Sequence, residues 1–364
     1  MSRASRSDLL RHALEARRQS GRGLFSQCLD VLSLRLGEGR LGPAEYYFYR
    51  LFDGRHDRAS RARFAGYRLC RDIDRKLNQR PWRALANDKL LMYSLFEGLR
   101  LPYPRLRAVY SSPRRRFPAA AALGNQAQVE AFLRDPASYP FFMKPLHGSY
   151  GRGALSAVAL DAAADRLTLG SGESLPVVEA ARTIVDPRSH GYVLQELVRP
   201  HPLIALLCGN TASSARVVVL YDQQGPRIFR SVWKLPTGRN MSDNFMHGET
   251  GNLLAVVDPA SGRVDRVING VGTRLREVTV HPGTGDRLVG VSLPDWPALR
   301  ELCLESASAL PGLGLQHWDI ALSDQGPVIL EVNVEGSMDL HQLAGATGVW
   351  DAPLQQSFRR VAPA

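Results

Sequence analysis

The run His317-Trp318-Asp319-Ile320-Ala321-Leu322-Ser323-Asp324-Gln325-Gly326-Pro327-Val328-Ile329-Leu330-Glu331-Val332-Asn333 constrains this chain more than any other segment. Two apolar-rich arms flank Asp324-Gln325-Gly326, a short loop with glycine where a left-handed residue is wanted, and this predicts a β-hairpin. Pairing about Gln325 sets Asp319 opposite Glu331 and His317 opposite Asn333. Residues two apart share a face, so Glu331 and Asn333 point one way, while Leu330 and Val332 are expected to point into a core. Like charges that face each other across a ladder are destabilising. Either the two carboxylates merely point to water, or a hard cation holds them beside the amide; oxygen-only donors suit Mg²⁺ or Ca²⁺ better than zinc. A bulge at Gly326 would turn one arm over and scatter the group.

A chain of 364 residues with 44% apolar content is globular, and its length implies two or three packed units. No apolar run is long enough to span a bilayer; the greasiest, Pro202 to Cys208, is far too short. The start, Met1 to Arg6, leads into a charged amphipathic segment and not into a signal-peptide core. Cys28, Cys70, Cys208 and Cys303 are scattered without zinc or redox spacing, which predicts a reduced, cytoplasmic protein. The net charge of +11 hides an imbalance: residues 1–120 hold 26 Lys or Arg against 11 Asp or Glu, and the remainder 20 against 24. The basic half is either the solvated outside of Arg-rich helices or a surface for an anionic partner such as a glycan or a membrane face. Nucleic acid is the weaker partner, because no nucleic-acid motif or aromatic interleaving accompanies the charge.

Residues 1–84 carry helical spacing, as in Leu9, Leu10, Ala13 and Leu14, and read as a basic helical region. The cluster Tyr46, Tyr47, Phe48, Tyr49 and Phe52 within it is expected to be core. Residues 85–138 read as a linker segment that contains a helix from Asn87 to Glu97, capped by Asn87-Asp88 and closed by Gly98. Residues 139–199 and 200–364 turn to short β-rich runs, of which Arg216–Tyr221, Arg227–Lys234 and Leu253–Asp258 are clearest, with a helix near 296–310. The elements interleave without a regular βαβ rhythm, so the fold class is α+β.

Two further segments bear on chemistry. In Phe141-Phe142-Met143-Lys144-Pro145-Leu146-His147-Gly148-Ser149-Tyr150-Gly151-Arg152-Gly153, a strand ends in a lysine and a three-glycine loop follows. Glycines let backbone N–H groups approach an anion, and the lysine adds a point charge; such loops also serve as lids or as plain hairpin turns. Tyr192-Val193-Leu194-Gln195-Glu196-Leu197-Val198 is an apolar strand with a polar end, suited to an ordinary central strand or to holding a flat heterocycle.

Lysine in a first helical turn, Lys-Pro before a glycine loop, Gln-Glu at a strand end, then Asp and Glu-x-Asn across a hairpin is a succession that resembles the ATP-grasp superfamily. It resembles most the sugar-transfer-associated branch, through Gln195-Glu196 followed by His201-Pro202, Ala215-Arg216-Val217-Val218, Ser242-Asp243-Asn244 and Asp339-Leu340-His341-Gln342. The resemblance implies two α+β subdomains clasping ATP. Lys89 and Lys144 would hold the α and β phosphates, and Gly148, Ser149, Tyr150, Gly151 and Gly153 would close over them. Gln195, Glu196, Leu197 and Val198 would form the adenine hinge. Arg216, Lys234 and Asn244 would be catalytic, the first two at the γ-phosphate or acyl phosphate. Asp319 with Glu331, and Glu331 with Asn333, would bind two Mg²⁺ ions, with Mn²⁺ as a substitute. Where many relatives carry an arginine two residues before the metal aspartate, this chain has His317, and Arg216 is the replacement candidate. The pattern of the branch also often has Gly-Gly where Gly248-Glu249-Thr250-Gly251 stands here. The activity implied is an ATP-dependent carboxylate–amine ligase acting on a small-molecule, peptide or sugar-conjugate substrate; a phosphotransferase and a non-catalytic ATP-binding scaffold are the alternatives.

Overall fold

The computed structural model describes residues 6–148, 151–336 and 338–360. Two seven-stranded sheets organise it. The first contains β1 (Leu106–Tyr110), β2 (Ala121–Leu123), β3 (Phe141–Pro145), β4 (Leu155–Asp161), β5 (Arg166–Leu169), β6 (Ser174–Pro176) and β7 (Tyr192–Glu196), in the order β2-β1-β7-β3-β4-β5-β6. Only β1 and β2 pair in parallel. The second contains β8 (Ser214–Asp222), β9 (Gly225–Leu235), β10 (Leu253–Val257), β11 (Val264–Asn269), β12 (Arg276–Val278), β13 (Leu315–Ser323) and β14 (Gly326–Asn333), antiparallel throughout, in the order β12-β11-β10-β9-β8-β13-β14. Residues 85–138 supply β1, β2 and the helix Gln126–Arg134 to the first layer.

Alternation along the strands decides what covers each face. In β8, Ala215, Val217 and Val219 pack with the helix Trp296–Ser308 and with Tyr93 and Phe96 of the helix Lys89–Gly98, whereas Val218 and Leu220 face the helices Tyr67–Leu77 and Ala352–Arg360. Both faces are buried, which is why β8 reads as a nearly continuous Val/Leu run. The aromatic cluster is core, as expected: Tyr46, Tyr47, Phe48, Tyr49 and Phe52 lie against Val232, Leu254 and Ile268 of the second sheet. The helix Lys89–Gly98 starts at Asp88, whose carboxylate accepts from the backbone N–H of Leu90 and Leu91.

The terminal hairpin turns through two residues, Asp324 and Gln325, with Gly326 at φ +98°. Its inner pairs run Ser323 with Gly326 to Ile320 with Ile329; Leu330 then forms a bulge, and beyond it Asp319 faces Glu331 and His317 faces Asn333. Leu330 does not enter the core as its parity implied. A bulged residue leaves the strict alternation, and here Leu330 lines the cleft between the sheets.

The helical N-terminal region is held to this frame by Gln342, a fully buried residue of the helix Asp339–Gly345. Its amide nitrogen donates to the Ala65 carbonyl (2.9 Å) and to the Tyr49 hydroxyl (3.0 Å), and its oxygen accepts from the Ala65 N–H at 2.7 Å. Leucine at this position would strand the Ala65 donor and acceptor out of water. Gln342→Leu is expected to lower stability by about 2–5 kcal/mol in urea denaturation, with residues 40–66 losing hydrogen-exchange protection first; a loss within experimental error would show that the amide is dispensable.

Candidate active site

Between the sheets lies a cleft of about 480 Å³. From the first sheet, β3 presents Phe142 and Lys144 while Phe141 and Met143 turn into the core behind it. From the second come Arg216 of β8, Lys234 of β9, Asp319 of β13, and Glu331 and Asn333 of β14. The glycine loop reaches across, since Gly148, Gly151 and Arg152 line the cleft. Gly151 sits at φ +66°, and a Cβ there would come within 3.1 Å of the Asn244 amide, so the loop tip meets the 242–244 loop of the opposite layer.

Asp319 is the hub. Arg216 stands opposite it in register and donates through Nε (2.8 Å) and Nη2 (2.6 Å), a two-point pair; Lys234 Nζ approaches the same carboxylate at 3.3 Å. Burial alone would raise the pKa of Asp319, but Arg216 and Lys234 outweigh it and hold the carboxyl well below the usual range. Arg216 is correspondingly held fully charged by Asp319 despite its burial. Lys234 also lies 3.7 Å from Asp243, whose other oxygen accepts from the Ser214 backbone at 2.8 Å. Burial is the largest influence on Asp243 and raises its pKa.

The Asn333 amide nitrogen bridges the acidic pair, at 3.2 Å from Glu331 Oε1 and 3.4 Å from Asp319 Oδ2. Three oxygen-bearing side chains therefore converge, and a hydrogen-bond donor occupies the place a cation would neutralise. With the Asn333 amide turned to present its oxygen in place of its nitrogen, the donor set is all oxygen and fits Mg²⁺. Glu331 is the freer carboxylate, because both oxygens of Asp319 are engaged by Arg216.

Across the cleft, Lys89 donates to the Gly148 carbonyl at 3.1 Å and stands 3.9 Å from Glu331. Lys144 donates to the Leu330 carbonyl at 3.2 Å and lies over the Tyr93 ring, 5.4 Å from its centroid. Burial lowers the pKa of both lysines, and Glu331 only partly offsets it. These are desolvated cations short of counter-charge.

Other expected residues fall differently. Ser149 and Tyr150 lie outside the described residues. Gly153 does not line the cleft; at φ +75° it packs where a Cβ would meet the Tyr192 hydroxyl at 2.7 Å. Gln195, Glu196, Leu197 and Val198 are not among the cleft-lining residues. β7 is central, paired on both edges by β1 and β3, so the Glu196 N–H donates to the Arg105 carbonyl, and the Gln195 side chain is buried 3.2 Å from the Tyr93 hydroxyl. His317 is fully buried; a Cβ on Gly336 would fall 2.7 Å from its ring. Burial, His341 and Arg216 push its pKa down to about 3, so it stays neutral and cannot act as the missing cation. The loop with Gly248-Glu249-Thr250-Gly251 is organised by Asn252, which donates to the carbonyls of Ser242 and Asn244 (2.9 and 2.8 Å).

Sequence reasoning missed Asp243 as a partner of Lys234, Tyr93 as the platform for Lys144, and a far wall built of Glu45, Tyr49, Tyr67 and Asp339. Asp243 and Tyr93 stand in segments singled out for other reasons; the far wall assembles from residues nearly 300 apart and leaves no local trace.

A sequence profile of the sugar-transfer-associated ATP-grasp family matches residues 68–357. The chain belongs to that family, a branch of the ATP-grasp superfamily, whose members are ATP-dependent enzymes and largely ligases. No curated protein matches it in sequence. Similar solved structures include the ATP-grasp ligase PsnB complexed with a minimal precursor (16% identity, 79% of this chain and 64% of that one, TM-score 0.40). D-alanine–D-alanine ligase from Bacillus anthracis is another (10% identity, 78% and 69%, TM-score 0.43). A third is the biotin carboxylase domain of 2-oxoglutarate carboxylase from Hydrogenobacter thermophilus, determined with MgADP and bicarbonate (12% identity, 82% and 50%, TM-score 0.43). The chain spans less than two thirds of the length of PsnB and half of that of the carboxylase domain.

His341 gives the site a pH signature. Burial is the main cause that lowers its pKa, to about 3, with Arg216 adding to it. Unfolding frees the ring to its ordinary pKa of roughly 6.5, so the unfolded state takes up a proton first as pH falls, and stability present above that value is lost on acidification. The slope is about 1.4 kcal/mol per pH unit for one proton. His341→Gln is expected to flatten urea-derived stability between roughly pH 6 and pH 4 by that slope; an unchanged profile would mean the ring is not buried neutral.

Proposed function

We propose that this protein is an ATP- and Mg²⁺-dependent ligase that joins a carboxylate to an amine through an acyl phosphate. The observation that carries this reading is the pair of desolvated lysines, Lys89 and Lys144, facing the convergent oxygens of Asp319, Glu331 and Asn333 across one cleft. A polyphosphate satisfies both sides at once, because its oxygens supply the lysines with charge and share cations with the carboxylates.

The substrate carboxylate attacks the γ-phosphorus, the bond to the β-phosphate oxygen breaks, and ADP leaves. The amine then attacks the acyl carbon and loses a proton as the bond to phosphate breaks, giving amide and inorganic phosphate. Lys89 and Lys144 would hold the α and β phosphates. Arg216, locked flat by its two-point pair with Asp319, and Lys234 beside it would hold the transferred phosphoryl oxygens, preorganised before substrate arrives. Magnesium held by Glu331 and Asn333, with Asp319 shared between metal and Arg216, would neutralise phosphate charge and keep the attacking and leaving oxygens in line. The family resemblance assigns two ions to these three residues. The loop from Gly148 through Ser149 and Tyr150 to Gly153 would exclude water from the acyl phosphate, with Asn244 as its contact in the closed position. The adenine would lie toward the end of β7, where the chain leaves the sheet after Glu196 through Leu197 and Val198.

The acceptor would enter along the wall made by Glu45, Tyr49, Tyr67 and Asp339, which is acidic and aromatic and suits a cationic amine. The family's association with sugar transfer favours a sugar-conjugate setting. A phosphotransferase would share the nucleotide half of the site and differ only in where the phosphate ends.

Glu331→Gln is expected to lower ATP-dependent turnover a hundredfold or more, on the order of several kcal/mol of transition-state stabilisation, with an unchanged circular dichroism spectrum. Incubation with ATP, Mg²⁺ and pooled carboxylates and amines, followed by mass spectrometry, is expected to give ADP, free phosphate and a product lighter than its parts by one water. Phosphate retained on the acceptor would replace the ligase reading with phosphotransfer, and near-normal ADP formation by folded Glu331→Gln would remove the metal assignment.

A further inference from the structure

The first two helices, Arg6–Ser20 and Leu24–Leu36, pack together at the outside of the N-terminal region. Their inner sides are spoken for. Leu9, Ala13, Val31 and Leu34 pack against the aromatic cluster, and buried Gln27 donates to the Ala13 carbonyl at 3.2 Å while accepting from the Tyr47 hydroxyl at 3.1 Å. The second helix is therefore fixed in orientation.

Its outer side is apolar. Phe25, Leu29, Leu32 and Leu36 recur at helical spacing and are 78%, 53%, 53% and 79% exposed. The first helix adds Leu10 and Leu14 at 57% and 40%. Scattered exposed leucines need no explanation, but a row that runs the length of a helix does. Arg17, Arg18 and Arg35 are exposed on the same two helices and make no ion pair among the described residues. An apolar row flanked by free guanidinium groups matches a surface that offers acyl chains and anionic headgroups together.

We propose that this face docks reversibly on an anionic lipid surface, laying the two helices in the plane of the headgroups. A second copy of the chain fits less well, because pairing the rows would bring like-charged arginines together in a region that already carries 26 basic against 11 acidic residues over positions 1–120. A nucleic acid would engage the arginines and leave the row in water. No described helix is long and apolar enough to cross a membrane, so the contact is interfacial.

The test uses the full chain with an environment-sensitive fluorophore on Cys28, which is exposed within the row while Cys70, Cys208 and Cys303 are buried. Vesicles of phosphatidylcholine containing phosphatidylglycerol are expected to blue-shift the probe and to co-sediment the protein, less so as salt rises, and vesicles of phosphatidylcholine alone to do so weakly. The double substitution Phe25→Glu with Leu32→Glu is expected to weaken vesicle binding by about tenfold or more, and Arg17→Glu with Arg18→Glu by about tenfold, both with unchanged circular dichroism and thermal midpoint. Three outcomes would overturn the proposal: no binding to anionic vesicles, equal binding to neutral ones, or a blue shift without lipid that grows with protein concentration alongside a doubled mass in sedimentation. The last would assign the face to a second copy.

Discussion

One extra residue in one strand sets the geometry of the cleft. The two-residue turn at Asp324-Gln325 would by itself leave Asp319 opposite Leu330, and Glu331 opposite buried Trp318, on the wrong face of the sheet. The bulge at Leu330 adds the missing residue and brings Glu331 and Asn333 back to the side of Asp319. It also frees the Leu330 carbonyl from the ladder, and that oxygen receives Lys144 at 3.2 Å and the Tyr93 hydroxyl at 2.9 Å. A single backbone irregularity thus gathers Asp319, Glu331 and Asn333 on one side and ties the first sheet's lysine to the second sheet.

The charges gathered there are held in place before any substrate binds. A buried carboxylate is costly unless compensated, and Asp319 is compensated by Arg216 from the neighbouring strand and by Lys234 from the one beyond. Opposing register, and not sequence proximity, delivers the arginine; His317, two residues before Asp319 on its own strand, lies under Gly336 and stays neutral. The cation beside Asp319 thus comes from across a ladder, over a distance that a side chain as long as arginine's can reach.

What was legible in the sequence was local. Asp88 as a cap, the valine-rich strands and the hairpin arms announce themselves through residue type and period. The facing of Asp319 and Glu331 also follows from the sequence, but through two offsets that cancel: a turn one residue shorter than assumed, and a bulge that adds one back. Bulges carry no periodicity, so parity alone puts Leu330 in the core, whereas it lines the cleft. β1 and β2 carry no local signal because they are only five and three residues long: β1 depends on β7 far along the chain, through Val109 and Val193, and β2 is an edge strand that depends on β1. The far wall carries none either: Glu45 is held by the backbone N–H of Tyr67 at 2.6 Å, and reaches Asp339 only when the helical region folds over the second sheet.

That helical region has two sides with different explanations. Its inner side is accounted for by burial: the aromatic cluster and Gln342 fasten it to the sheet, and in doing so complete the cleft. Its outer side is not, because an exposed row from Phe25 to Leu36 gains nothing from the fold, and the arginines beside it, without an ion pair among the described residues, only repel one another. The family match begins at residue 68, so this row stands on the part of the chain outside the shared nucleotide-binding frame. Features that cost the isolated chain and lie outside the family's shared frame are explained by a surface the chain meets, and one that is greasy within and anionic at its boundary satisfies both of them together.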